Sequence, residues 1–177
     1  GSRARRDLIG RHQSARAAPN YPMRVGGISK GHALMPLEIP QAEAEEWIAL
    51  LKPYQRTTIR AFVSESSIEE AAKKWLSATG SPNIVPFGGS RDTKPFWDRF
   101  ATEFKKFVCD DNAYTEEKKA LGAESAPIKA ILISAVSAAL GATLGYSATL
   151  LAPAVALLLC IVGKMGKNAY CSGVNVG

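Results

Sequence analysis

Residues 130–163 read AILISAVSAALGATLGYSATLLAPAVALLLCIVG, without one charged side chain. Lys129 stands just before this stretch, and Lys164 and Lys167 just after it. Nothing else in the 177-residue chain is so apolar, so the fold is decided by what covers this surface. Ile128, Ile131, Leu132, Ala135, Val136 and Leu140 recur at helical spacing and make one face, while Ser134, Ser137 and Gly141 make a small one. Ser125 is the expected cap of this helix. A turn is expected between Gly141 and Pro153, with Gly145 as the break and Ser147 as the next cap. The last helix is expected from about Ala152 to Tyr170. Leu157, Leu158 and Leu159 point in three directions, so that helix is apolar all round. Such a helix lies either inside protein or in lipid.

In lipid, the flanking lysines would hold both ends of a 126–170 hairpin on the cytoplasmic side. Ser137 and Gly141 have the small-xxx-small spacing that lets helices approach closely. Leu132, Leu140, Leu157, Leu158 and Leu159 would then face acyl chains. Length argues against this. One straight helix would be about 50 Å long, against a hydrocarbon core of about 30 Å. Split by a turn, each arm has only about 15–17 residues, short of the roughly 20 required. Nine alanines and five Ser or Thr residues weaken insertion further.

In water, the chain must cover the hairpin itself, and the upstream sequence offers the faces to do so. After Pro40, the acids Glu43, Glu45 and Glu46 suit a helix N-terminus. Trp47, Leu50, Leu51 and Tyr54 fall on one helical face, interrupted by Pro53. The segment 54–63 then groups Ile59, Phe62 and Val63. Ser67 with Glu70 is a capping box, followed by Ile68, Ala71, Ala72, Trp75 and Leu76 at helical spacing up to Gly80. Asp92 or Thr93 caps another helix, with Pro95 in its first turn. Its stripe is Phe96, Trp97, Phe100, Phe104, Phe107 and Val108, and each buried ring contributes roughly 1.5–3 kcal/mol. Asp110, Asp111 and Asn112 stop it. Asn112 can cap a short helix running to Leu121 and ended by Gly122. These faces match what the hairpin needs. The expected fold is all-α: a single-domain bundle of about six helices, residues 41–177, around the C-terminal apolar hairpin.

Residues 1–40 are expected to be an irregular basic arm, rich in proline and glycine. Gly1–Ser2 reads as a remnant of tag removal. Residues 1–30 hold seven basic side chains and one acid, Asp7, which is the whole net charge of +6. The rest of the chain is neutral, with 15 basic and 15 acidic side chains. Arg3, Arg5, Arg6 and Arg11 could meet anionic lipid or nucleic acid through charge. No aromatic residue interleaves these arginines before Tyr21, so a soluble, frayed terminus is the favoured reading of the arm, and the neutral body offers nucleic acid no basic face. The basic start leads into no apolar core of a secretory signal. Cys109, Cys160 and Cys171 are an odd number without a CxxC pair. Reduced thiols in a cytosolic protein are the expectation.

Catalytic chemistry finds little to work with. The histidines are His12 and His32, both in the arm, and no spacing suggests a metal site or a cofactor. A Cys109–His32 nucleophile pair has no local support. GGISKG (26–31) lacks the GK[ST] ending of a phosphate loop. PFGGSRDTK (86–94) leads into a helix N-terminus near Arg91, a weak anion signal better read as a connecting loop. A helix-turn-helix over 54–77 would place its reader on GSPNIVPFGG, which prolines and glycines forbid. The expected role is a non-catalytic helical interaction or adaptor module, cytoplasmic and bacterial in style. It would meet a protein partner through loop 80–92, Arg91 and the arm. The alternative is a membrane-active effector of toxin or defence type, associated with the inner membrane through the 130–163 hairpin. An unrecognised enzyme comes third.

Overall fold

A computed structural model describes residues 37–79, 96–122 and 128–172, which fold into eight helices with no strand among them. The all-α class stands, with two more helices than the six expected. They are α1 (Ala44–Ile48), α2 (Pro53–Glu65), α3 (Ile68–Thr79), α4 (Phe96–Cys109), α5 (Thr115–Gly122), α6 (Lys129–Leu144), α7 (Ala148–Met165) and α8 (Lys167–Ser172). The added helices come from two breaks. Pro53 breaks the helical run, one of the two outcomes its position allowed, and opens α2 at its first position. Gly166, with φ of 88°, separates α8 from α7.

α7 is the axis of the molecule. It packs against α1, α3, α6 and α8, and every residue from Pro153 to Cys160 is buried. α6 packs against α7, α4 and α5. The turn between them is the one expected: Gly145 adopts a left-handed conformation at φ 77°, and the Ser147 hydroxyl accepts the Leu150 N–H at 3.3 Å. Gly141 is required there by space. A Cβ on it would sit 2.6 Å from the Tyr146 carbonyl oxygen that folds back over it. At the far end of α7, a Cβ on Gly163 would sit 2.5 Å from the Pro40 carbonyl oxygen. The segment leading into α1 therefore lies directly on the α7 backbone.

α7 begins at Ala148, four residues earlier than expected, and it includes Pro153. Proline lacks the N–H that would bond the carbonyl one turn back, so the Thr149 carbonyl is released. Gln55 of α2, 1 % exposed, donates its side-chain N–H to that oxygen at 2.8 Å. Its other amide atom accepts the Lys52 N–H at 3.1 Å and caps α2. Trp75 of α3 donates its indole N–H to the Leu150 carbonyl at 2.8 Å. Two long-range bonds thus hold the first turn of the central helix.

The α3 capping bond forms as expected, from the Glu70 N–H to the Ser67 hydroxyl at 3.2 Å. The aromatic stripe of α4 is buried at Phe100, Phe104, Phe107 and Val108, while Phe96 and Trp97 lie at its rim. Other local readings differ. Trp47 and Leu51 are buried, but Leu50 is 45 % and Tyr54 58 % exposed, because the chain turns at Ala49–Lys52 and rotates them outward. α6 starts after Ile128, which is 67 % exposed and offers no side-chain cap, while the expected cap Ser125 lies outside the described residues. α5 starts at Thr115, three residues beyond Asn112, after Tyr114 has turned the chain at φ 55°.

The largest correction concerns the thiols. Cys109, the last residue of α4, is disulfide-bonded to Cys171 in α8, with their Cα atoms 5.6 Å apart. Closing a loop across 62 residues stabilises the fold by about 4 kcal/mol in the chain-entropy account. Cys160 is the free cysteine, buried in α7. Burial pushes its thiol pKa up, so it stays protonated and inert.

Candidate functional site

The element that singles this protein out is the α6–α7 hairpin with its cover. Leu132, Leu140, Leu157 and Leu159 are fully buried, and Leu158 is 4 % exposed. The structure therefore places all five hairpin leucines inside protein. Arg3, Arg5, Arg6, Arg11 and Arg91 lie outside the described residues, as does the loop 80–92.

The two ends of the hairpin are held differently. At the closed end, Tyr146 of the turn packs its ring 4.2 Å from that of Phe96. At the open end, the two lysines that bound the uncharged stretch both meet the α1 region. Lys129 pairs with Glu46 and Lys164 with Glu43, each at 2.6 Å. The Lys129 contact holds the Glu46 carboxyl below its ordinary range, and the Glu43 contact raises the Lys164 ammonium. Glu43, Glu46 and Lys164 are exposed and Lys129 is half-buried, so the pairs add little stability. What they do is place α1 across the mouth of the hairpin.

The outer side of α6 is unusual for a helix facing water. Its exposed residues are Ala130, Ser134, Ala138, Ala142 and Thr143, and no charge appears from Ala130 to Leu144. Beside it lies a cleft of about 250 Å³ where the α1–α2 corner meets the hairpin, lined by Leu50, Leu51, Ala130, Ser134 and Ser137 among others. Ser137 is 1 % exposed, and its hydroxyl has no hydrogen-bond partner. Leaving a buried polar group unpaired costs about 1–3 kcal/mol.

A polar network ties α4, α5 and α6 together on another side. The Tyr114 hydroxyl lies 2.7 Å from the Glu103 carboxylate and 3.1 Å from the Thr143 hydroxyl. Burial pushes the Tyr114 pKa up to about 12, so it stays a neutral donor. Lys118, 9 % exposed, donates to the Asp110 carbonyl, and burial lowers its pKa. Each member is satisfied by another, and the arrangement works as a tie between helices. No group of His, Cys, Asp and Glu able to hold a metal occurs among the described residues.

A second groove, of about 480 Å³, runs beside α7 between α3, α4 and α8. Leu158 and Ile161 lie at its base, with Trp97 and Tyr170 on its walls.

Neither a family model, nor a curated protein, nor a solved structure matches this chain.

Sequence reasoning missed the disulfide, the uncharged outer face of α6 and the cleft beside it. The face was legible in part, since Ser134 was already on the small side of the helix. The cleft depends on the rotation of Leu50 at the α1–α2 corner, which no local pattern encodes.

Proposed function

We propose that this protein is a non-catalytic helical interaction module, and that the outer face of α6 with its adjoining cleft receives a helix of a partner protein. The observation that carries this reading is the stripe Ala130, Ser134, Ala138 and Ala142, exposed yet uncharged over the helix length. A helix face meant only for water usually carries Lys or Glu on that side. Small residues every fourth position let a second backbone approach closely. The cleft would take a larger side chain of the incoming helix, and Ser137 would gain the bond it lacks. The test uses a photo-crosslinking residue at position 138, with position 60 on α2 as control, expressed in the native host. Recurrent capture of one protein at 138 and not at 60 supports the reading. Crosslinking only to a second copy makes the face a dimer interface. No capture at 138 above the control rejects it.

A second reading is favoured by the hairpin itself. α7 is 18 residues long and apolar enough to cross a membrane, and α6 is a shorter apolar helix beside it. Their lengths are about 27 and 24 Å, slightly below the hydrocarbon thickness, a mismatch that thinning of the bilayer absorbs at modest cost. Lys129 and Lys164 mark one end, and the opposite end carries no charge from Ala142 to Pro153. A membrane-active effector would insert that closed end first.

A further inference from the structure

We infer that the α6–α7 hairpin has a second, lipid-embedded state, and that the Cys109–Cys171 disulfide is the catch that keeps it folded away. This rests on the membrane-active reading and adds its trigger. Three observations converge on it. The covalent loop closed by the disulfide contains α5, α6 and α7, so the whole hairpin lies inside it. α8, which carries Cys171, has only six residues and none of them is buried. Besides the disulfide, its ties to the α4 side include the edge-on contact of Tyr170 with Phe104, ring centres 6.3 Å apart, and the Lys167–Asp111 pair at 3.4 Å. Finally, Tyr170 forms a wall of the groove over Leu158 and Ile161.

Opening the disulfide therefore removes the strongest tie of the element that closes this groove. Tyr170 can then leave, and the most apolar helix of the chain meets water along Leu158 and Ile161. The entropic stabilisation of the loop is lost in the same step, and the fold becomes easier to open. Cys109 and Cys171 are both half-buried residues, not sealed inside the core. A thiolate of the reductant attacks one sulfur and breaks the Cys109–Cys171 bond, giving a mixed disulfide. The second thiol of the reductant displaces it, so two electrons pass to the protein, two protons end on the cysteine thiols, and the reductant leaves as its own disulfide. The catch stays shut in an oxidising compartment and opens in a reducing one.

The experiment uses the full chain and dye-loaded vesicles of mixed phosphatidylcholine and phosphatidylglycerol. With the disulfide intact, leakage should stay at background. A dithiol reductant should raise it at least about tenfold, the scale expected when a sizeable share of marginal stability is removed. Cys171→Ser should leak without reductant, and Cys109→Ser should do the same. Circular dichroism before lipid is added checks that each form is folded. Equal, fast leakage with the disulfide intact or reduced keeps the membrane reading and overturns the catch. No leakage from folded, reduced protein overturns both. Loss of thermal stability on reduction without leakage makes the disulfide a structural staple and overturns the proposal. If Cys171→Ser does not fold, titration of wild type with the reductant gives the same decision.

Discussion

α6 and α7 are nearly matched in composition and opposite in fate. Both are uncharged through their central turns, yet α7 is covered on every side from Pro153 to Cys160, while α6 shows water a row of alanine and serine. The difference comes from topology. α7 is surrounded by α1, α3, α6 and α8, whereas α6 has α4, α5 and α7 on part of its circumference only. Apolar character alone thus places a helix in the interior only if enough neighbours exist to enclose it. Among the described residues there are enough for one such helix. The second is left with a face that asks for something outside the described fold.

Charge insertion should separate the two arms most sharply. Leu157→Lys puts an unpaired ammonium among fully buried side chains and should destabilise by more than about 4 kcal/mol, seen as loss of the cooperative thermal transition. Ala138→Lys, on the outer face of α6, should shift stability by no more than about 0.5 kcal/mol. Equal damage from both would mean that the α6 face is covered too. Gln55→Leu leaves the Thr149 carbonyl unanswered and removes the α2 cap, and should cost about 2–3 kcal/mol in denaturant titration. Gly163→Ala forces a methyl against the Pro40 carbonyl and should cost about 1–3 kcal/mol; a neutral result would show that the lead into α1 yields easily. The smallest effect belongs to the open end of the hairpin. Glu46 titrates below its ordinary value of 4.5 when folded, so its contribution is present above that pH and is lost as the pH falls below it. The stability difference between wild type and Glu46→Gln should therefore be visible near neutral pH and shrink away as the pH falls through the lowered value of the folded carboxyl.

Much of this was legible in the residues. The hairpin, its Gly145–Ser147 turn, the Ser67 cap and the aromatic stripe of α4 follow from periodicity and capping chemistry, which act over a few neighbours. What escaped depends on distant contacts. Cys109 and Cys171 carry no pairing signal, because their approach requires a short α8 to fold back on α4. Pro153 read as a residue of the first turn of a helix starting near Ala152, since nothing local reveals that Gln55, 94 residues before Thr149, will serve the carbonyl it releases. Leu50 and Tyr54 fit an apolar face only while Pro53 is taken to bend a helix; once it starts one, they point away from the core. Of the interaction surface, spacing alone showed the small residues but not which of them would be left bare.

The bond from Gln55 to Thr149 has one more consequence. A core of leucines, valines and alanines is nearly indifferent to a shift of one helical turn, about 5.4 Å, because similar side chains would meet again. Pro153 marks a single carbonyl along α7 as lacking its usual helical partner, and the buried amide of Gln55 can be satisfied only there. Sliding the helix up or down strands both groups at once. One proline and one glutamine thereby give an otherwise greasy, interchangeable axis a unique register.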